Sequence, residues 1–161
     1  MKELFVKQQL FSLRGRYEVF DVAGHQIYQA EGSFMKIAKE FYIKDMMGNN
    51  VATVSKELFK WLPQFQITVG GREIATLKRE FTFFKPSYTL LGTDIQIRGD
   101  IWSMSFEILN QGQVIGRIDQ KWMTIRDQYR IEVLEDECEL IVLGIVLAID
   151  YVKALERNNG A

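Results

Sequence analysis

The chain is poor in the residues from which many catalytic and metal sites are built. It has 161 residues but a single cysteine, Cys138, and a single histidine, His25. One cysteine excludes an internal disulfide and any cysteine-rich metal site, so nothing in the sequence requires an oxidising compartment. With one histidine and one cysteine, the chain has too few of these side chains to build the usual zinc sites or His-dependent catalytic triads. We interpret His25 as a solvated turn residue, with a general base as the alternative. We interpret Cys138 as a small buried packing residue, with a reactive thiol at a helix start as the alternative.

Other absences exclude further classes of protein. The formal net charge is −1, so no overall excess of basic residues points to nucleic acid. Residues 1–10 mix charges every few positions and contain no apolar core of signal-peptide length. No glycine loop has the P-loop or dinucleotide pattern, and no pair of carboxylates stands out for acid–base work. We therefore expect a cytoplasmic protein that is not an enzyme in the ordinary sense, with no catalytic residues, cofactor or metal.

The longest apolar run lies near the end of the chain, at residues 140–149. As a helix, ten residues span about 15 Å, roughly half of a bilayer's hydrocarbon core. The run therefore predicts a helix buried inside protein and no transmembrane span. Asp136 followed by Glu139 forms a capping-box pattern, and Arg157 suits the other end of the helix. We predict one central helix over residues 136–157.

The interior of the chain repeats a hairpin pattern centred on glycine. Counting from each glycine, the residue at plus three is Ile or Val, the next is usually small, and the residue at plus six is apolar. Turn residues cluster at each origin, and alternating apolar and polar residues flank it, as expected for strands. Such turns favour glycine because they need a positive φ. We assign structural roles to the four origins, Gly24, Gly48, Gly71 and Gly112, and regard Gly92 as a decayed fifth copy.

Small residues at plus four predict where the helix packs. Positions plus four, six and eight share one face of a strand. In two copies the residue at plus four is Ala52 or Ala75, which leaves room for a close approach by the apolar helix. Tyr28 occupies this position in the first copy and departs from the rule.

Asp150 follows the apolar run directly. A partly buried carboxylate needs hydrogen-bond donors, and losing them costs about 1–3 kcal/mol. We predict a structural role for Asp150, at the end of the buried part of the helix.

Charge is unevenly distributed along the chain. Residues 34–85 contain nine basic and five acidic side chains, and residues 100–157 contain six basic and eleven acidic side chains. Lys56 and Arg79 fall at plus eight of their copies, which predicts a position on the inward face near a strand end, and Lys78 adjoins Arg79. These three residues are our candidates for binding an anionic or lipid headgroup. For Lys56 and Arg79 we favour a structural interpretation over headgroup binding: these side chains pair with the acidic residues at 135–139 or extend to water.

Aromatic residues alternate with polar ones in the second half of the chain. We expect packing within the fold, before base stacking, to explain them. They are Phe81, Phe83, Phe84, Tyr88, Trp102 and Trp122.

Five segments give the chain a family resemblance: LFVKQQLFSL (4–13), YEVFDVAG (17–24), DMMGNNVATV (45–54), GQVIGRIDQKW (112–122) and DQYRIEV (127–133). With the apolar helix, they make the chain resemble the LURP-one-related proteins, which share the fold of tubby C-terminal domains and phospholipid scramblases. The resemblance implies a single tubby C-terminal-like domain over residues 1–161. Its expected architecture is mainly β, a closed antiparallel barrel of about twelve strands (residues 2–134) around a buried hydrophobic C-terminal helix.

The resemblance also shapes the functional hypotheses. Tubby proteins bind phosphoinositides through basic residues, and scramblases are associated with calcium-dependent lipid movement. The segment matching the scramblase calcium region supplies only Asp127 and Glu132, with Arg130 between them, whereas calcium favours six to eight oxygens. Our leading hypothesis is a non-enzymatic cytoplasmic module that binds anionic lipid or phosphoinositide at a membrane surface. The alternative is a protein-interaction or scaffold domain, and a scramblase-like lipid protein is a distant third.

Overall fold

The structure is a computed structural model that describes residues 1–9, 16–33, 40–81, 83, 87–120 and 128–159. A single-turn 3-10 helix at Asp136–Cys138 leads directly into helix α1, Glu139–Asn159. Twelve strands precede them: β1 Lys2–Gln9, β2 Arg16–Phe20, β3 Gln26–Gly32, β4 Glu40–Asp45, β5 Asn50–Lys56, β6 Gln64–Val69, β7 Arg72–Glu80, β8 Ser87–Leu91, β9 Ile95–Asp100, β10 Ser105–Asn110, β11 Gln113–Asp119 and β12 Gln128–Val133.

All twelve strands belong to one antiparallel sheet. Its order is β8-β7-β6-β5-β4-β3-β2-β1-β12-β11-β10-β9, with β1 paired to β12. The sheet curls into a nearly closed barrel around α1, which confirms the expected mainly β architecture. The ladder stops at β8 and β9, which follow each other in the chain but have no pairing between them among the described residues.

The four glycine-centred copies form the hairpins β2–β3, β4–β5, β6–β7 and β10–β11. The φ angles of their origin glycines lie between 79° and 86°. Each hairpin also contains a register shift that leaves the residue at plus three without a cross-strand partner. This extra residue is a β-bulge, which bends a strand and increases its twist. The repeated Ile or Val at plus three therefore marks the bulge: Ile27, Val51, Ile74 and Ile115.

The barrel has two different ends. The turn end carries the short hairpin turns and the beginning of α1, because β12 finishes beside the start of β1. Among the described residues, the loop end carries the segments 57–63 and 101–104, Phe81, Phe83 and the later turns of α1. The helix thus runs through the barrel from the turn end to the loop end.

Helix α1 fills the interior. Side chains from Val142 to Ile149 are at most 2% exposed, and Leu140 and Ile141 are half-buried. The predicted buried helix is confirmed, and burying each large aliphatic side chain contributes about 1.5–3 kcal/mol. Within the described residues, no helix combines the length and the apolar content needed to cross a membrane.

Close helix–strand contacts occur where small residues were expected. A Cβ added to Gly116 would lie 2.7 Å from Cγ1 of Val142, so β11 and α1 meet at van der Waals distance. A Cβ on Gly144 would contact Ala52 at 3.9 Å. Tyr28, the exception at plus four, points its hydroxyl at the helix start and donates a hydrogen bond to Glu139 at 2.8 Å.

The predicted capping box is wrong. Asp136 lies in the 3-10 turn, and its carboxylate is 3.3 Å from the amino terminus of Met1. The Glu139 carboxylate, which was expected to reach back along the helix, accepts hydrogen bonds from Lys2 at 2.6 Å and from Tyr28. Side chains of β1 and β3 thus bind Glu139 at the start of α1, in place of a cap made within the helix.

Candidate functional site

The three candidate anion-binding residues lie at the loop end, on β5 and β7. All three are half-buried. Lys78 lies on the opposite face of β7 from buried Leu77, so it points outward. Within the described part of the chain, neither Lys56 nor Lys78 forms an ion pair. The structure thus leaves two ammonium groups at this end without a carboxylate partner among those residues.

Arg79 differs from the two lysines. Its Nε lies 3.0 Å from Oε1 of Glu156 in the last turn of α1. An arginine at plus eight was expected either to bind an anion or to pair with residues 135–139. The structure pairs it with the helix at the opposite end from those residues, where it ties β7 to α1.

The segment 57–63 lies over the ends of β5, β6 and β7. The Glu57 amide donates a hydrogen bond to the Gln64 carbonyl at 2.9 Å, and the Arg79 amide donates one to the Pro63 carbonyl at 3.0 Å. The segment adds a third lysine, Lys60, whose Nζ is 3.7 Å from the Glu57 carboxylate. We call Lys56, Lys60 and Lys78 the lysine set.

Four exposed aromatic side chains lie beside the lysine set. Phe59 is fully exposed, Trp61 is 95% exposed, Phe83 is 88% exposed and Phe81 is 70% exposed. Phe81 and Phe83 pack edge to face with their ring centroids 5.4 Å apart. We call Phe59, Trp61, Phe81 and Phe83 the aromatic rim. Large aromatic rings normally contribute to burial, so four exposed rings at one end form an unusual surface.

The aromatic rim contradicts the expectation that barrel packing explains the aromatics. Phe81 and Phe83 are exposed, whereas Tyr88 and Trp102 are half-buried. The exposure of Phe59 and Trp61 was not predicted, although the surrounding sequence indicates a connection. The stretch ELFKWLP (57–63) is apolar without strand alternation and ends in proline, which predicts a connection. Phe84, Trp122 and the basic residues Lys36, Lys39 and Lys85 lie outside the described residues.

The turn end holds a cleft of about 650 Å³ bordered by Lys2, Tyr28, Asp45 and Glu139. The hydrogen bond from Lys2 to the Glu139 carboxylate raises the pKa of Lys2. Burial, followed by the hydrogen bond to Glu139, raises the pKa of Tyr28. The polar groups at the cleft floor satisfy one another, so they serve to fix the start of α1.

A row of ion pairs crosses the outer face of β9, β10, β11, β12 and β1. Glu107 pairs with Arg98 and, at 3.1 Å, with Arg117. Hydrogen bonds from these two arginines lower the pKa of Glu107. Glu132, the described carboxylate of the calcium-region match, lies 3.1 Å from Arg130, and Asp127 lies outside the described residues. Among the described residues, no group of three or more potential ligands is placed to hold a metal ion.

Asp150 is 5% exposed and lies where α1 approaches the loop end. The hydroxyl of Tyr17 is hydrogen-bonded to its carboxylate. Burial and the Asp150 carboxylate raise the pKa values of both Tyr17 and Tyr129. One turn further on, buried Lys153 donates a hydrogen bond to the Trp102 carbonyl at 2.7 Å, and burial lowers its pKa.

The two scarce residues occupy the environments proposed from the sequence. His25 is exposed in the first hairpin turn, with Nδ1 3.3 Å from the Asp21 carboxylate. Cys138 is buried, and this burial, together with Glu135, raises its pKa. A raised pKa disfavours the reactive thiolate, so the packing interpretation of Cys138 is the better one.

Comparison with known proteins shows which family has this architecture. The family model described as LURP-one-related matches residues 2–150. The chain belongs to the LURP-one-related family. This LURP-one-related chain is 27% identical over 152 residues to the uncharacterised protein YxjI of Bacillus subtilis (strain 168), covering 94% of each protein. It also matches the X-ray structure of a protein from Arabidopsis thaliana with a TM-score of 0.62 and 14% identity, covering 93% of this chain and 91% of that one. The latter likeness concerns the fold alone.

Proposed function

We propose that this chain is a non-enzymatic, tubby-like binding module that associates weakly with anionic lipid at the cytoplasmic face of a membrane. The contact surface is the loop end, where the aromatic rim lies beside the lysine set. That juxtaposition of exposed rings and lysines is the observation that carries the proposal. Phosphoinositides are the anionic lipids with the highest charge, so they are the favoured headgroups.

The physical chemistry of each group suits a membrane surface. Phenyl and indole rings partition into the interface between headgroups and acyl chains, and tryptophan is enriched there. A lysine near an anionic leaflet contributes about 1 kcal/mol, and this contribution falls as salt screens the charge. Three lysines therefore support weak, salt-sensitive binding. The four rings add an apolar contribution to the binding free energy that salt does not screen.

Arg79 and Lys78 have different places in this proposal. Lys78 points outward from β7 and remains available to a headgroup. Arg79 is engaged with Glu156, so we assign it to stabilising the end of α1. The lipid-binding residues proposed here are thus Lys56, Lys60 and Lys78, with the aromatic rim.

The packing of α1 inside the barrel supports the proposal that the chain is not an enzyme. Side chains of α1 occupy the space that an internal substrate pocket would need, and such pockets usually exceed about 300 Å³. In the scramblase-like alternative calcium would bind near Glu132, but an arginine already neutralises that carboxylate.

The rival function is a protein-interaction or scaffold domain, and the same exposed rings favour it. Aromatic side chains are enriched in the centres of protein interfaces. The lysine set favours the membrane, because lysine is depleted from those interfaces.

Co-sedimentation with liposomes separates the two functions. We expect the wild type to sediment with vesicles of phosphatidylcholine and phosphatidylserine at low salt, more weakly at physiological salt, and best when a phosphoinositide is included. Lys56→Glu and Lys78→Glu should each weaken binding severalfold. Arg72→Glu makes the same charge change on exposed β7 sequence at the turn end and should have no effect. Wild type that stays in the supernatant at low salt would overturn the membrane function.

A further inference from the structure

The cleft at the turn end is open to solvent and lies outside the packed interior. It measures about 650 Å³, within the range of about 300–1,000 Å³ that is usual for small-molecule sites. The start of β1, the turn between β2 and β3, the beginning of β3, the end of β4 and the start of α1 surround it. Glu139 is the single described residue of α1 that borders it, so the helix begins at the floor of the cleft and does not fill it.

The β-bulge of the first hairpin gives the cleft an apolar wall. In a regular strand neighbouring side chains point to opposite faces, but Ile27 and Tyr28 both border the cleft. Ile27 is the extra residue of the bulge and has no cross-strand partner on β2, and a bulge can re-aim a side chain in this way. Leu4 of β1 and Val22 of the turn add further apolar surface, and Val22 is 70% exposed. The cleft thus offers an apolar body a wall to pack against.

Two of the carboxylates that border the cleft are paired with cations. Among the described residues, four carboxylates and one lysine border it. The Glu139 carboxylate lies 2.6 Å from Nζ of Lys2, and the Glu3 carboxylate lies 3.2 Å from the guanidinium of Arg130. The amino terminus is likewise paired, with Asp136. These pairs leave the floor of the cleft close to neutral, so they give no preference for the charge of a ligand.

The other two carboxylates, Asp21 and Asp45, keep their negative charge beside the cleft. Both residues are half-buried. Asp45 accepts three hydrogen bonds of 2.9 Å from Met47 and Asn49. Asp21 accepts two backbone hydrogen bonds of 2.9 Å within its own turn and lies 3.3 Å from Nδ1 of His25. Amide donors orient a carboxylate and lower its pKa without cancelling its charge. Neither aspartate forms an ion pair with a lysine or arginine among the described residues.

We infer that the turn-end cleft is a binding site for a small organic cation, in which a protonated amine is joined to an apolar body. The ammonium lies beside Asp21 and Asp45, each of which retains an acceptor position, since a carboxylate accepts about four hydrogen bonds. Charge-assisted hydrogen bonds of this kind are about twice as strong as neutral ones. The apolar body lies against Leu4, Val22 and Ile27, where its transfer out of water is favourable. The same two carboxylates repel an anion of the same shape.

The size of the cleft favours a small molecule over a protein partner. Standard protein interfaces use about 20–30 residues on each side, whereas ten described residues border the cleft. The cleft also lies at the opposite end of the barrel from the lysine set, and the charge beside it has the opposite sign. Binding of an organic cation here is therefore independent of the lipid contact at the loop end.

An NMR titration of the full chain with three probes of nearly the same shape tests the inference. At neutral pH tryptamine is a cation, tryptophol is neutral and indole-3-propionate is an anion. Tryptamine should shift amide signals at residues 1–4, 21–28 and 45–47. It should also bind at least about tenfold more tightly than either of the other probes. Equal affinities for the three probes would contradict recognition of charge. Shifts confined to residues 57–63, or no saturation by about 10 mM tryptamine, would show that the cleft does not bind an organic cation.

Removing the charge of each aspartate separates charge from shape. Asp21→Asn and Asp45→Asn keep an amide oxygen that can accept the hydrogen bonds of the turn. Each should weaken tryptamine binding by at least about fivefold and leave tryptophol binding within about twofold. Asp94→Asn makes the same charge change in an exposed turn at the same end of the barrel, away from the cleft, and should leave tryptamine binding unchanged. An equal loss in all three variants, or for both probes, would count against the inference.

Val22→Ser tests the apolar wall of the cleft. Val22 is exposed, so this substitution should leave the fold intact. It should weaken the binding of tryptamine and tryptophol alike, by at least about twofold, because both indole rings lose apolar contact. Unchanged affinity for both probes would place the apolar body elsewhere and overturn the site.

Discussion

Buried polar residues are placed where α1 leaves the barrel. Asp150 and Lys153 are each at most 7% exposed, and each has a hydrogen-bond partner on a strand or connection of the barrel wall. An unpaired charge in a dry core costs several kcal/mol. Such groups are tolerated only where partners exist, so they fix how far the helix is inserted.

Asp150→Asn should lower the melting temperature while leaving the fold intact. The substitution removes the carboxylate that accepts the Tyr17 hydroxyl and replaces it with an amide that also carries donors. We expect a loss of about 1–3 kcal/mol, measured by thermal unfolding with circular dichroism. Asp94→Asn, at an exposed turn position, is the control and should have little effect. A melting temperature unchanged in Asp150→Asn would remove Asp150 from the structural role proposed for it.

Two hairpin turns contain an aspartate that makes stability depend on pH. The side chain of Asp45 accepts hydrogen bonds from Asn49 and from the backbone amide of Met47, which lowers its pKa below the ordinary value of 3.8. Asp21 accepts backbone hydrogen bonds from His25 and Ala23, with the same direction of shift. A lowered pKa in the folded state adds stability above the unfolded pKa, and that stability is lost as pH falls through the folded pKa.

Asp45→Asn tests this dependence. The variant should melt a few degrees below wild type at neutral pH, and the difference should shrink as pH falls below about 4, where the wild-type carboxylate becomes protonated. The measurement is a series of thermal melts from about pH 7 to about pH 3. A difference that stays constant across the series would show that the charge of Asp45 does not contribute.

Packing of α1 against the strands depends on single small residues. The wall of β11 approaches the helix so closely at Gly116 that any side chain there would overlap Val142. Val142 is fully buried and β-branched, so it has little freedom to move aside. One side chain on each element therefore sets the distance between them.

Gly116→Ala should destabilise the protein by about 1–3 kcal/mol through overpacking. Val142→Ala removes the overlapping methyl groups and should itself destabilise the protein by leaving a cavity. In the double variant the new methyl group fills part of that cavity, so the total loss should be smaller than the sum by about 0.5–3 kcal/mol. Chemical denaturation of the four proteins measures the coupling, and strictly additive losses would contradict the contact.

Leu143→Asp should give unfolded or insoluble protein. Leu143 is fully buried in the middle of the helix, and an unpaired carboxylate there costs several kcal/mol. Arg157→Asp makes a larger charge change at an exposed position of the same helix and should remain soluble and folded. Expression, solubility and circular dichroism decide the outcome. Cooperative unfolding of soluble Leu143→Asp would refute the buried-helix architecture.

Elements were predictable where several signals agreed. Glycine turns, alternating strands and small residues at plus four all indicated the same hairpins, and an apolar run of ten residues indicated the buried helix. The bulge at plus three was visible as a repeated Ile or Val, but only the register explains it. The start of α1 was mispredicted because Glu139 has partners on β1 and β3, which no local pattern encodes.

The candidate site was only partly predictable. Counting along the strands predicted that Lys56 and Arg79 lie near strand ends, and both lie at the loop end of the barrel. Whether a residue at the loop end pairs with α1 depends on how the helix is rotated about its axis. The Arg79–Glu156 pair therefore could not be predicted from the sequence. Exposure of Phe81 and Phe83 was missed, because aromatic residues beside polar ones normally indicate a half-buried strand.

The two ends of the molecule expose different side chains. At the turn end, beside the cleft of about 650 Å³, Lys2 and Tyr28 bind Glu139 and hold the helix start. The loop end presents both the aromatic rim and the lysine set, which lie on or next to β5 and β7. A membrane contact at the loop end would leave the barrel standing on the bilayer with its turn end in solution.

Depth-dependent quenching of Trp61 tests this arrangement most directly. Replacing the other two tryptophans, in Trp102→Phe/Trp122→Phe, leaves Trp61 as the single tryptophan, whose emission is excited selectively over that of the tyrosines, and circular dichroism checks the fold of the variant. With anionic vesicles that contain brominated lipids, Trp61 emission should shift to shorter wavelength and be quenched, most strongly by bromines close to the headgroups. In the same background, Met47→Ser at the turn end should leave the quenching unchanged. Unshifted, unquenched Trp61 emission in vesicles at low salt would contradict the account.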